Sequence, residues 1–344
     1  GKPFDDQSVQ KAFTKALDDM LDEDDPDGPA AAGMTFFGQF IDHDVTLDTQ
    51  SAIGTRIDPR SIRNVRTPAL DLDCVYGDGN EASPYLYHPD HSGFLLFGTK
   101  DNARDLARNS HGTALIGDMR NDENQILSQL QGAFVCMHNI LMTALQEDAH
   151  LVPAAFEGIR AQAITEGYKP SEHPFQAARR ILRLHYQWMV LNDFLPAFVD
   201  ADVLKSVREA FADGRLPKPF TEESPIMPIE FSGAAYRFGH ATVQNDYELN
   251  GTSGDVKLFD MMRKEFHSRP EELNIEFSRL FDFPGNSKFQ KARPIGRKLA
   301  GSIFNLHFIG EKLKIAGKEL SIEDSRKLPH RNIFRDRMTL ELPS

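Results

Sequence analysis

The chain has 344 residues, 40% of them hydrophobic and 26% charged, with a formal net charge of −12. That length allows about two domains or one large one, and no break in composition divides it. The acidic balance excludes a phosphate-backbone partner, because nucleic-acid binding needs clustered Lys and Arg to displace counterions. The longest apolar stretch, residues 132–145, is interrupted by His138 and Asn139 and is too short to span a bilayer. Two cysteines, Cys74 and Cys136, are too few for a disulfide framework and read as buried thiols or one optional bridge. The chain opens on GKPFDD, without a Met or a signal peptide, as expected of a processed or truncated product.

In chain order, the acidic run DDMLDEDDPDGPAA comes first. It invites a calcium-loop reading, but an EF-hand counted from Glu23 would need its bidentate acid where Met34 stands. Residues 1–28 are therefore expected as a solvated acidic lead. TFFGQFIDHDVTLD follows, placing Asp42, His43 and Asp44 inside an apolar run. In a helix Gln39 and His43 share a face, while the three neighbours each turn about 100° from the last. Taken singly, each is also compatible with a solvated acid or a satisfied core histidine.

RTPALDLDCVYGDG reads as an extended loop in which Thr67, Ala69, Asp71 and Asp73 alternate, so that side chains and a carbonyl converge from one side. Such an oxygen cage suits Ca²⁺, and an ordinary polar turn is the other reading. In GDMRNDEN, Arg120 and Glu123 are spaced i, i+3 on one helical face, as in many surface pairs. QILSQLQGAFVCMHNILMTALQE and FQAARRILRLHYQWMVLNDFL carry helical periodicity, and strand-like alternation is sparse. The expected fold class is all-α, mainly helical with little β. His138 is read as a core histidine, and the Met and aromatic stripes, Trp188 included, as core.

The motifs GQFIDHD, RTPALDLDCVYG, ARNSHGTALIGDMRNDENQILSQL, HYQWMVLNDFLP, EFSGAAYRFGH and RNIFRDR, in this order, resemble those of the animal-type haem peroxidases of the peroxidase–cyclooxygenase superfamily, nearest to its bacterial members. The resemblance runs from about Pro29 to the last residue and implies one haem peroxidase catalytic domain with haem buried between central helices. It implies that His43 stands over the iron with Gln39 as its partner, and that Arg120 is the distal cation. Asp42 and Glu123 stand at the two positions that form esters with haem b. Asn124 occupies the place of a Met that bonds a vinyl group in one subgroup, so that third link is expected to be missing. His240 would be the proximal iron ligand. Its second-shell Asn is read as Asn332, because Arg335 follows at the spacing of a propionate partner, rather than as Asn305. Arg237 is a second propionate candidate, with a structural salt bridge as the alternative.

Asp44 would join Thr67, Ala69 through its carbonyl, Asp71 and Asp73 around Ca²⁺, which also suggests a periplasmic or extracellular setting. The implied activity is reduction of hydrogen peroxide and oxidation of phenols, halides or thiocyanate through a ferryl intermediate, in keeping with a response to oxidative stress. Two rivals stay open: a haem fatty-acid dioxygenase, and a catalytically idle peroxidase-like module for calcium binding or adhesion. The first needs a Tyr three residues before the proximal His, where this chain has Arg237, with Tyr236 one residue further off. The sequence ends at LELPS, where family members typically continue through further helices, so the C-terminal part of the family domain is expected to be missing.

Overall fold

The computed structural model describes residues 15, 19–22, 24, 26–47, 64–148, 174–215, 227–233, 235–262, 267–304, 314–315, 318–319 and 321–322. It is mainly helical. Strand is confined, among the described residues, to three two-stranded ribbons: β1 (Leu21–Asp22) parallel to β4 (Leu299–Ala300), β2 (Asp246–Glu248) antiparallel to β3 (Asp255–Lys257), and β5 (Lys314–Ile315) antiparallel to β6 (Lys318–Glu319).

Helix α1 (Ala32–Val45) is buried at every residue except Met34 and Gln39, so even its acids lie in the interior. No side chain caps its start. Its first N–H groups instead reach distant carbonyls, Ala32 to Gln290 at 2.8 Å and Gly33 to Leu280 at 2.7 Å, which satisfies donors that a helix N-terminus leaves open. Thr46 closes the other end, its N–H and hydroxyl both donating to the Asp42 carbonyl.

A one-turn helix α2 (Asp73–Tyr76) comes next, then the long α3 (Gln125–Glu147), whose cap Asn124 accepts from Leu127 N–H at 2.8 Å. Helix α4 (Pro174–Met189) packs against α3, and aromatic rings from three helices form the centre of the core. Phe40 of α1 stacks on Phe134 of α3 at 4.6 Å, and Tyr186 of α4 meets both edge-on at 5.9 and 5.6 Å.

The helical run after Met189 does not continue as α-helix. Residues Val190–Phe194 widen into a π turn before α5 (Leu195–Phe198), in which Pro196 has no N–H to give to a regular ladder. Helix α6 (Ala201–Ala212) is capped by Asp200, α7 spans Ile229–Gly233, and α8 spans Gly301–Phe304. Between α7 and β2, Ala235–Thr242 winds as a 3₁₀ helix.

A buried ion cluster joins distant stretches. Arg108 pairs with Asp105 at 2.9 Å and forks onto both oxygens of Asp122 at 2.7 and 2.8 Å, while the fully buried Arg269 lies 3.6 Å from Asp105.

Two expectations need correction. The 67–73 segment is not uniformly extended: Leu70 and Leu72 take positive φ of 53° and 62°, which interrupts the alternation, and Leu72 opens α2. The cause is α1, whose Asp44 carboxylate accepts the N–H groups of Leu72 and Cys74 and pulls the chain into a turn. Trp188 is not core but 58% exposed, because it lies about 200° around α4 from the buried Tyr186. Of the two readings left open for the cysteines, the structure has the free thiols, Cys74 buried and Cys136 half-buried.

Candidate active site

A cavity of about 480 Å³ opens between α1 and the 235–242 segment, within the size range of small-molecule and cofactor sites. Its apolar wall includes Phe194, Phe198, Phe238, Phe259, Leu258 and Met262. Gln39, Asp42, His43, Arg120, Glu123, Arg237 and His240, expected from sequence to share a site, all line this one cavity. Asn332 and Arg335, like the alternative Asn305, lie outside the described residues.

Arg120 and Glu123 sit in a 3₁₀ turn, Met119–Asp122, with Glu123 as its C-cap. Residues i and i+3 eclipse in that geometry, so the expected shared face holds although the segment is not α-helical. The guanidinium of Arg120 is held by Asp118 through Nε at 3.0 Å and Nη2 at 2.8 Å. It also donates to the carbonyls of His43 at 3.1 Å and Thr46 at 2.5 Å, at the C-terminal end of α1. That end gathers carbonyl dipoles, and a cation there is favourable. Arg66 reaches the same Asp118 at 3.0 Å. Burial works against the Asp118 charge, but the hydrogen bond and charge of Arg120 outweigh it and keep the carboxyl below its ordinary range.

His43 is buried, and the neighbouring Arg120 charge adds to the cost of burial, so its imidazole is pushed down to about 4 and is neutral near pH 7. Its Nδ1 lies 2.7 Å from Oδ1 of Asn121. Glu123 is pushed up to about 7, chiefly by burial, with Arg120 and Gln39 opposing the shift. Gln39 Nε2 donates to Glu123 Oε1, and Asn124 Nδ2 donates to Gln39 Oε1 at 3.1 Å, so the cap of α3 also orients a cavity residue.

On the opposite wall, His240 Nδ1 lies 3.0 Å from the Arg237 carbonyl. The Arg237 guanidinium is 3.8 Å from Asp42, the salt bridge that the sequence left as its alternative role. Tyr236 also lines the cavity, and its hydroxyl donates to the Gly38 carbonyl of α1 at 2.9 Å.

Asp44 points away from the cavity, fully buried beneath the 70–74 loop, and burial together with the charge of Asp71 pushes its carboxyl up to about 6. Asp73 is raised for the same two reasons. Thr67 donates to Asp71 Oδ2 at 2.7 Å, and the Ala69 carbonyl accepts from Gln187 at 3.2 Å. Asp71 Oδ1 is buried without a partner. Crowded carboxylates, a hydroxyl and an orphaned oxygen fit a hard divalent cation in donor chemistry. Even so, no group of three or more His, Cys, Asp or Glu side chains among the described residues is drawn close enough to hold a metal.

For haem, the fit lies in the apolar wall, with histidines on two separate elements and carboxylates beside them. Sequence reasoning missed Asn121, Asp118 and the Tyr236 tether. The first two stand inside the same short motif as Arg120, but the helix face assumed there pointed attention only to i and i+3.

Comparison with known proteins gives concordant results. The family model for animal haem peroxidase matches residues 50–282, a span that contains Arg120, Glu123, Arg237, His240 and the 67–73 loop and begins just after α1. The chorion peroxidase of Drosophila melanogaster is 30% identical over 203 residues, covering 55% of this chain and 23% of that protein. The chain thus spans under a quarter of that relative's length. Among solved structures, peroxidase A from Dictyostelium discoideum superposes with a TM-score of 0.52 at 15% identity, covering 95% of this chain and 70% of that one. The fatty acid alpha-dioxygenases of Oryza sativa (TM-score 0.53, 16% identity, 94% and 60% covered) and Arabidopsis thaliana (0.57, 15%, 96% and 60%) share the fold as well.

Proposed function

Because the chain belongs to the animal haem peroxidase family, we propose that the cavity between α1 and the 235–242 segment holds haem b, and that the protein reduces hydrogen peroxide while oxidising small donors such as phenols, halides or thiocyanate. The observation that carries this reading is that His43, Arg120 and His240, from three separate elements, line one cavity.

Haem, when bound, supplies the iron that receives peroxide and stores the oxidising equivalents. His240 would hold that iron, with Asn332 and Arg335 as proposed partners of the ligand and a propionate. His43, neutral near pH 7, takes the proton from one peroxide oxygen and returns it to the other, the one that departs as water. Arg120 keeps its charge throughout and stabilises the negative charge that develops on that leaving oxygen. Its four hydrogen bonds to Asp118, His43 and Thr46 fix that charge before substrate arrives. Gln39 orients the carboxyl of Glu123. Asp42 and Glu123 are the two candidates for ester links to the haem edge. Asp44, Thr67, the Ala69 carbonyl, Asp71 and Asp73 are proposed to close around Ca²⁺, which suits a periplasmic or extracellular setting.

A dioxygenase reading has one observation in its favour, the Tyr236 hydroxyl at the cavity wall. Against it, that hydroxyl donates to Gly38, and Arg237 stands at the third position before His240. The test begins with an absorption spectrum of the purified protein, which should show a strong Soret band. Peroxide-dependent oxidation of a phenol or iodide should follow, with no oxygen uptake on a polyunsaturated fatty acid. His43→Ala should slow the reaction with peroxide about 10²–10⁴-fold, the usual contribution of general acid–base catalysis. Fatty-acid-dependent oxygen uptake that vanishes in Tyr236→Phe would replace this reading by the dioxygenase one.

A further inference from the structure

His43 turns Nδ1 into a buried run of amides, and one backbone carbonyl fixes the direction of every hydrogen bond along it. The carbonyl of Cys74 can only accept, so Gln131 must present its amide nitrogen there, Nε2 donating at 3.2 Å. Gln131 Oε1 then faces Asn121, whose Nδ2 donates to it at 2.8 Å. With its nitrogen engaged, Asn121 presents Oδ1 to His43 Nδ1 at 2.7 Å. An amide oxygen has no proton to give, so the proton of this last bond belongs to the ring. Asn121, Gln131 and Cys74 are all fully buried, and reversing either amide would set like groups against each other at hydrogen-bond distance.

We infer that Asn121 is the positioning residue of the proposed base: it holds His43 as the Nδ1–H tautomer, so that the neutral ring keeps a bare Nε2 for the cavity. The inference deepens the peroxidase reading, and rests on it only for the use to which Nε2 is put. The arrangement is rigid at both ends. Asn121 N–H is bonded to the Asp118 carbonyl at 3.0 Å, and its neighbour Asp122 is forked by Arg108. At the far end, the N–H of Cys74 returns to Asp44, the residue beside His43 in α1. The run therefore leaves α1 at one residue and rejoins it at the next.

The experiment is ¹⁵N NMR at pH 7 on the whole chain labelled at histidine, with any bound haem in its diamagnetic ferrous carbonyl form. The His43 signal, identified by its loss in His43→Gln, is expected to show a protonated Nδ1 and a bare Nε2. A wild-type ring protonated at Nε2 instead overturns the inference, whatever the activity. Asn121→Leu, close in shape but without an acceptor, should lose the Nδ1–H preference and react with peroxide about tenfold or more slowly. Asn121→Asp, which restores an acceptor, should recover the tautomer, a rescue that a merely structural role would not produce. Retention of the wild-type tautomer in Asn121→Leu also overturns the inference. If that variant does not fold, Gln131→Met is read in its place: freeing the Asn121 amide to flip should mix the two tautomers, and an unmixed wild-type signal counts against the inference. The expected tautomer together with no peroxide turnover would remove the peroxidase reading and leave the tautomer assignment standing.

Discussion

His43 and His138 are both buried imidazoles pushed down to about 4, chiefly by burial, yet their surroundings give them different work. His138 spends both nitrogens inside the core: Nε2 meets the Gly93 carbonyl at 2.8 Å and Nδ1 the Tyr76 hydroxyl at 3.0 Å. Since the carbonyl only accepts, Nε2 carries the proton and Tyr76 donates to Nδ1. The ring is a satisfied core histidine, as its apolar helix position suggests, whereas His43 spends one nitrogen on Asn121 and lines a cavity with the rest of its ring. A lowered histidine pKa makes the unfolded chain bind the extra proton between about 4 and 6.5, so stability falls as pH drops through that window. His138→Gln, which can still donate to Gly93, should be less sensitive than the wild type to acidification from pH 6.5 to 4.5. Urea unfolding at the two pH values should show the difference, with an upper bound of about 3 kcal/mol from the linkage relation. Equal acid sensitivity in both proteins would mean that His138 is charged in the core.

At the scale of elements, α1 shows how much of the site was legible. Its apolar run, the Gln39–His43 spacing and the fan of Asp42, His43 and Asp44 all follow from helical periodicity alone. What periodicity cannot show is why Gly38 sits mid-helix, where glycine costs about 0.5–1 kcal/mol against alanine. An added Cβ would stand 2.9 Å from the Phe194 ring, and Phe194 is placed there by the π turn, itself hard to foresee beyond the hint of Pro196. Gly38→Ala should therefore push Phe194 into the cavity it lines, lower stability by about 1–3 kcal/mol as overpacking does, and shift the absorption band of bound haem. An unchanged melting temperature and band would show that the ring has room to yield. The 67–73 loop was misread in shape for a related reason. The acid alternation was visible, but the left-handed turns at Leu70 and Leu72 depend on an Asp44 carboxylate 28 residues from Leu72 in sequence.

Across the whole molecule, the site is held by contacts that no local pattern announces. The Asp105, Arg108, Asp122 and Arg269 cluster ties the 102–122 stretch to residues beyond 267 and fixes the residue between Asn121 and Glu123. Breaking one partner of a buried pair typically costs about 3–5 kcal/mol, because the other charge is left stranded. Asp122→Asn leaves Arg108 only Asp105, which Arg269 also approaches, and should cost part of that loss in chemical denaturation; a loss under about 1 kcal/mol would mean that Asp105 alone satisfies Arg108.

The proposed Ca²⁺ loop is a second long-range tie, joining Asp44 of α1 to residues 67–73 and so lying directly behind His43. Without a cation, the carboxyls of Asp44 and Asp73 are raised by burial and by Asp71, and Asp71 Oδ1 has no partner. A divalent ion would relieve each of these costs at once. An ion that binds only the folded state stabilises it by about 2.7 kcal/mol at a hundred times its dissociation constant. Chelation should therefore lower the melting temperature by several degrees, and added Ca²⁺ should restore it. Asp71→Asn should melt low with or without Ca²⁺, since it removes the ligand charge while leaving an oxygen and the chain geometry in place. Identical melting of the chelated and Ca²⁺-supplied wild type, with no calcium found by metal analysis, would leave the loop as a polar turn beside which Asp44 and Asp73 are simply protonated more readily than usual.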